Sequence, residues 1–180
     1  MNTLFISDNI YLCEGIFDIK VATCLASDFL KDPHKNITKL KQDDRVVIAV
    51  SDATLRWHIS EAIKNDKHSH IFMMKYMDPD SYAKFNDVIY ISSHFTMRRL
   101  KYVIHHAEDI RNMYLTTREH EMLLNSSLIN FVISKMMSVS EKTCSSYRIS
   151  LKSKLNMKCR NNIAMEYFRR QLITQSLPRN

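Results

Sequence analysis

Ser140-Glu141-Lys142-Thr143-Cys144-Ser145-Ser146-Tyr147-Arg148-Ile149-Ser150-Leu151-Lys152-Ser153-Lys154-Leu155 is the stretch that constrains this chain most. Cys144, Tyr147, Leu151 and Leu155 recur at spacings of 3, 4 and 4, which lines them along one face of an α-helix and turns that face inward. Lys142, Ser145, Ile149 and Lys152 recur at 3, 4 and 3 on the opposite face, with Ser146 and Arg148 flanking them. Ser140 carries the hydroxyl that caps such a helix, which then runs to Leu155. Upstream, Ile129–Met137 forms a second helix, joined to the first by Met137-Ser138-Val139-Ser140. Thr116 or Thr117 caps an earlier helix through Asn125, and Asn161–Leu172 forms a fourth. Gln175–Asn180 is a polar tail. The final third is therefore expected to be all-α.

Charge separates the same region from the rest. Residues 115–180 carry eleven Lys/Arg against four Asp/Glu, a net of +7, whereas residues 1–114 carry fifteen of each. The formal excess of the whole chain thus sits in one helical segment, which implies an anionic partner there. The Lys142 face suits a nucleic acid: short hydroxyls match base edges or phosphates, and lysines match backbone charge. Ile149 on that face suits a thymine methyl or a dimer contact. A basic four-helix domain with solvated charges has the same composition, and only the order of motifs described next argues against it.

The first half has a different grammar. Leu4-Phe5-Ile6, Val46-Val47-Ile48-Ala49-Val50, His70-Ile71-Phe72-Met73-Met74 and Val88-Ile89-Tyr90-Ile91 are short β-branched or aromatic runs bounded by Asp, Ser or Asn, and predict buried strands. Helical patterns separate them at Ile10–Ile19, Ala53–Asn65 and Thr96–Arg111, the last with Thr96 as a cap. A fifth strand is required within 20–42, from Val21–Ala26 or Asn36–Leu40. Strand alternating with helix predicts an α/β domain, a parallel sheet flanked by helices. The expected organisation is 1–106 for this domain, 107–114 for a linker, 115–172 for the helical domain and 173–180 for the tail.

Leu115-Thr116-Thr117-Arg118-Glu119-His120-Glu121-Met122-Leu123 resembles the L-T-x-R-E-x-E-V-L opening of the DNA-binding domain of LuxR-type (NarL/FixJ) bacterial regulators. Ser140-Glu141-Lys142-Thr143-Cys144-Ser145-Ser146-Tyr147-Arg148 resembles the start of their recognition helix, and Lys154-Leu155-Asn156-Met157 its close. Within that family the run Lys142–Arg148 is most similar to the capsule-regulating (Rcs) branch. The resemblance covers about 55 residues and implies a four-helix, LuxR-type helix-turn-helix domain, with the motif itself over Asn130–Ile149. It implies that Lys142, Ser145, Ser146, Arg148 and Ile149 enter the major groove, and that Thr143, Lys152 and Lys154 lie near phosphates. It further implies that Ile163-Ala164-Met165-Glu166-Tyr167-Phe168 offers an apolar dimer face. The segment between Leu123 and Ser140 is about two residues shorter than the family pattern, the usual glycine before the second helix is absent, and Tyr147 replaces a histidine.

Phe5-Ile6-Ser7-Asp8-Asn9-Ile10-Tyr11-Leu12-Cys13-Glu14-Gly15-Ile16-Phe17 resembles the start of response-regulator receiver domains and places the only glycine at the family's glycine. Such domains imply an acidic pair and a phospho-accepting Asp around Mg²⁺, with a Lys near the phosphoryl group. Here the first acid is Ser7, the acceptor position falls at Ala49 or Val50, and the Lys position falls at Ser92 or Ser93. The expectation is a receiver-like fold that is not phosphorylated and serves dimerisation or partner docking.

Other functions have less to stand on. One glycine excludes a P-loop or G-x-G-x-x-G fingerprint. Cys13, Cys24, Cys144 and Cys159 form no C-x-x-C and read as reduced small hydrophobes. His68/His70, His94 and His105/His106 lack metal-ligand spacing, and Asp78 and Asp80 flank Pro79 in a turn. No enzyme, metal or cofactor is expected. There is no signal-peptide pattern and no apolar run long enough for a membrane span, so a cytoplasmic protein is expected. The sequence therefore points to a transcriptional regulator that binds double-stranded DNA as a homodimer, or as a heterodimer with another regulator. Its alternatives are a co-regulator that binds DNA only in the heterodimer and a phosphorelay response regulator.

Overall fold

The computed structural model describes residues 2–16, 21–41, 43–157, 165–166 and 168–170. Its elements are β1 (Thr3–Ser7), α1 (Ile10–Gly15), β2 (Val21–Leu25), α2 (Ala26–Lys31), α3 (Pro33–Ile37), β3 (Arg45–Ala49), α4 (Ala53–Ala62), β4 (Ser69–Met74), β5 (Tyr82–Phe85), β6 (Val88–Ser92), α5 (Met97–His105), α6 (Thr117–Leu124), α7 (Asn130–Met137) and α8 (Glu141–Lys154). The six strands form one sheet in the order β2-β1-β3-β4-β6-β5. Every pairing is parallel except β5 with β6. Without β5 the order is that of flavodoxin-like doubly wound sheets, so the sheet is like that of a receiver domain.

The four anticipated strands are all present, and the fifth is β2, the first of the two candidate segments. Asn36–Leu40 instead finishes α3 and a turn. β5 was not anticipated. Phe85 pairs with Val88 across Asn86 and Asp87, both at positive φ (47° and 63°), which is the two-residue primed turn that matches strand twist. This hairpin occupies the stretch between β4 and β6 where an alternating fold would place a helix. The helices at Ile10, Ala53 and Thr96 are present but shorter than their patterns: α1, α4 and α5 end at Gly15, Ala62 and His105.

Alternate strand residues feed opposite faces of the sheet. Phe5, Val47, Ile71, Met73, Ile89 and Ile91 pack with Leu100, Val103 and Ile104 of α5. Leu4, Ile6, Val46, Ile48, Phe72, Met74 and Tyr90 face the other way, toward Phe29 of α2 and Ile59 of α4. That second core does not stop at the sheet. It continues through Met122, Leu123, Ile133, Met137, Cys144, Leu151, Leu155, Met165 and Phe168. The rings of Tyr90 and Phe168 stand 4.7 Å apart at 47°. Beside them Met77 bridges Met157, the Asp78 amide donates to Asn156 O at 2.7 Å, and Asn156 Nδ2 donates to Tyr82 O at 3.0 Å. The C-terminal helices therefore sit on the sheet face that the hairpin leaves without a helix.

With one glycine, tight turns use other residues. Asp80, Asn86, Asp87, Ser138 and Asn156 take positive φ among the described residues. Among the same residues no helix is long and apolar enough to cross a membrane. The anticipated helix at Asn161–Leu172 and the tail 173–180 lie mostly outside the described residues, although 165, 166 and 168–170 are helical.

Candidate nucleic-acid interface

Three helices form the site. Thr116 caps α6 and closes a capping box: its Oγ1 accepts from the Glu119 amide at 3.2 Å, while Glu119 Oε2 accepts from the Thr116 amide at 2.8 Å. α7 ends on Ser138 in the left-handed region (φ 52°, ψ 46°), and its Val139 amide donates to Ser134 O at 3.0 Å. Ser140 then caps α8, its Oγ accepting from the Thr143 amide at 3.0 Å. The start anticipated for α8 is the observed one, because a hydroxyl after a left-handed turn satisfies the first free amides.

The inner side of α8 holds Cys144, Leu151 and Leu155, all fully buried, with Tyr147 half-buried against them. Arg148 belongs to this side as well. It was expected to reach outward into a groove, but it is only 7% exposed. Nε donates to Asn130 Oδ1 at 2.7 Å, NH1 to Ser126 O at 3.3 Å and NH2 to Leu128 O at 2.6 Å. The physical reason is acceptor supply: the chain leaving α6 presents carbonyls that no helix satisfies, and a planar guanidinium collects several at once. Burial pushes the Arg148 guanidinium below its ordinary range.

Lys154 was expected near phosphates and instead faces the protein. Its Nζ donates to Glu119 Oε2 at 2.6 Å, while Ser150 Oγ donates to Glu119 Oε1 at 2.6 Å. Burial alone would raise the Glu119 carboxyl, but the bonds from Lys154, Ser150 and Thr116 outweigh it and take it down to about 2, from an ordinary 4.5. A depressed folded-state pKa adds stability above the ordinary value and loses it as pH falls. The unfolding free energy from urea titrations is thus expected to drop as pH falls from 4.5 toward 2, by up to about 3 kcal/mol, with a flatter profile in Glu119→Gln. A wild-type profile as flat as that of Glu119→Gln would contradict the assignment.

The outer side of α8 presents Lys142, Ser146, Ile149 and Ser153, all exposed, Ile149 at 69%. Ser145 and Lys152 lie half-buried at its margins. Asn130 is spent inside the site: Nδ2 donates to Ser145 Oγ at 2.9 Å while Oδ1 accepts from Arg148. Ser145 and Ser146 hydroxyls donate to Glu141 O and Lys142 O at 3.1 and 3.2 Å. Thr143 Oγ1 lies 2.8 Å from Ser140 Oγ, part of the cap. The structure thus brings Lys142, Ser145, Ser146, Ile149 and Lys152 to one open side, and leaves Asn130, Arg148 and Lys154 as internal fasteners. Sequence reasoning missed the outer apolar residues of α7 and its cap, where Ile129 (66%), Phe131 (54%) and Met136 (59%) face solvent. Met165 and Phe168, expected on an outward dimer face, are buried against the sheet side; Ile163, Ala164 and Tyr167 lie outside the described residues.

The carboxyl end of the sheet gathers a second set of polar side chains. Ser7 Oγ donates to Ala49 O at 3.0 Å, and Ser92 Oγ donates to Met77 O at 3.3 Å. Ala49 and Val50 are buried and carry no carboxylate. Asp8 Oδ2 accepts from the amides of Ser51 and Asp52 at 2.7 and 3.0 Å. This donor set does not fit the Mg²⁺ site of a receiver, which needs three carboxylates about one point. His68 Nδ1 and His70 Nε2 meet Asp66 at 2.6 and 3.2 Å, and no described group of three His, Cys, Asp or Glu is placed to hold a metal ion.

No protein-family model matches the chain, and no curated protein does. Among solved structures, the chain is similar to RcsB from Salmonella enterica serovar Typhimurium, bound to promoter rprA in the presence of phosphomimetic BeF3-, at 16% identity and TM-score 0.47, over 94% of this chain and 98% of that one. It is also similar to the response regulator ChrA of a heme-sensing two-component system, at 18% identity and TM-score 0.38, over 96% and 98%. At these scores and identities neither likeness assigns the chain a fold or a role.

Proposed function

We propose that the chain is a sequence-specific, DNA-binding regulator of transcription, not an enzyme. In this reading α7, its left-handed turn and α8 act as a helix-turn-helix of the LuxR type, with Lys142, Ser145, Ser146 and Ile149 toward the major groove and Thr143 and Lys152 toward phosphates. The receiver-like half is not phosphorylated and serves as a platform for a second subunit. The observation that carries the reading is the open outer side of α8, bearing Lys142 and Ile149 on a helix whose inner side Arg148 and Glu119 hold in place. The +7 excess of residues 115–180 supports it, because a polyanion is drawn to segregated cations.

Lys142→Ala tests it. Lys142 is exposed, so the fold and its melting temperature should be unchanged. Fluorescence anisotropy on duplex DNA across a salt series should show weaker binding and a log–log salt slope smaller by ~1. Equal affinity and slope would mean that this side does not meet DNA.

A second reading is favoured by the burial of Met165 and Phe168. Those side chains are not free to build a homodimer through their helix, and a single small module buries too little surface for specific affinity. In this second reading the chain binds DNA only as a heterodimer with another regulator. Gel shifts with the pure chain, then with candidate partners added, separate the two.

A further inference from the structure

The loop between β3 and α4 is gripped from two directions. Asp8 takes its amides, as described above. Arg56, one turn into α4, folds back over the same loop: Nε donates to Val50 O at 2.8 Å, and NH2 donates to Val50 O and, at 3.3 Å, to Ser51 O. The side chain is 4% exposed, and a planar fork is what allows one cation to span two adjacent carbonyls.

We propose that Arg56 is a built-in substitute for a divalent cation: its guanidinium gathers the loop oxygens at the carboxyl end of the sheet and holds the loop in one conformation without metal. The compensating charges are Asp8 and Asp52, the latter also capping α4 through the Leu55 amide at 2.7 Å. Burial lowers the Arg56 guanidinium to about 10, and the fields of those two carboxylates oppose the fall, so it stays charged at neutral pH. Three contributions thus replace one ion: a carboxylate for the amides, a guanidinium for the carbonyls and a second carboxylate for the helix start. Held in this way, the loop takes one conformation when the chain folds and needs no metal to keep it. The inference rests on the receiver-like sheet and is independent of DNA binding.

The test uses the full chain, thermal unfolding and the emission of Trp57, the chain's single tryptophan, half-exposed beside Arg56. Wild type should show no change in melting temperature or emission with millimolar MnCl2 or MgCl2 at matched ionic strength. Arg56→Ala should melt roughly 5–10 °C lower. MnCl2 should then restore part of that loss saturably, because Asp8, Asp52 and the Val50 and Ser51 carbonyls become an uncompensated oxygen set. Adding Asp8→Asn should abolish the rescue. Arg56→Lys, which keeps the charge but not the fork, should melt between the two and ignore the metal, and it carries the test if Arg56→Ala does not fold. Saturable stabilisation of wild type or of Arg56→Lys by Mn²⁺ would overturn the proposal. So would a folded Arg56→Ala that melts like wild type or shows no rescue.

Discussion

Arg148→Ala is expected to destabilise the protein by about 3–5 kcal/mol, because it leaves buried acceptors without a donor at roughly 1–3 kcal/mol each. The side chain holds Ser126 O, Leu128 O and Asn130 Oδ1, so its removal strands three acceptors near the start of α7 and opens a void beside Cys144 and Leu151. For a chain of 180 residues this is a fall of roughly 6–20 °C in melting temperature. Arg148→Lys should rescue little, because an ammonium cannot reach three acceptors in one plane. The outcome discriminates between roles: a groove-reading arginine would lose DNA affinity at unchanged stability, whereas this one should lose stability first. A melting temperature within a degree or two of wild type would show that the clamp does not hold α7 and α8 together.

Tyr90→Ala carries the second large effect. Tyr90 is fully buried on β6, its ring stacked 6.2 Å from that of Phe72 and tilted at 47° to that of Phe168, 4.7 Å away. Truncating a buried aromatic costs about 3–5 kcal/mol. The position adds a qualitative signature. One hydrophobic core runs from the sheet through α6, α7 and α8, so wild type should unfold in a single transition seen alike by Trp57 fluorescence and helical circular dichroism. Tyr90→Ala removes a side chain at that junction, and the two probes should separate, the sheet half and the helical half melting at different temperatures. Two transitions already present in wild type would mean that the shared core couples the halves weakly.

How much of this was legible in the residues depends on whether a partner lay close in sequence. Strands β1, β3, β4 and β6 announced themselves as short β-branched runs between polar stops, and the Thr96 and Ser140 caps did the same for α5 and α8, as the Thr116-Thr117 pair did for α6, since both signals are local. β5 was missed although its signal was present: Asn86-Asp87 between Tyr82-Ala83-Lys84-Phe85 and Val88-Ile89-Tyr90-Ile91 is a primed-turn pattern without glycine. Arg148 was misplaced because residue type overrode spacing. It stands four residues after Cys144 and three before Leu151, on the buried stripe, but nothing local reveals the carbonyls that make its burial tolerable. Lys154 was misplaced for the same reason, since Glu119 lies 35 residues away. Met165 and Phe168 were apolar and periodic in either setting; only the missing helix between β4 and β6 shows that the sheet, not a second subunit, receives them. The resemblance to receiver domains put Ser7, Ala49 or Val50, and Ser92 or Ser93 where an acid, an acceptor and a cation would stand, and in the structure the Ser7 and Ser92 hydroxyls donate to carbonyls while Ala49 and Val50 are buried.

The most direct measurement is selection from a randomised duplex library by the purified full chain, run beside Ile149→Glu, with any candidate partner supplied to both. Ile149 is 69% exposed, so the substitution leaves the fold intact while placing a negative charge in the centre of the open side of α8. Wild type should enrich one sequence motif, and Ile149→Glu, melting at the same temperature, should enrich none. An identical motif from both proteins would place the contact elsewhere on the molecule, and no enrichment by wild type with or without a partner would remove sequence-specific DNA reading altogether.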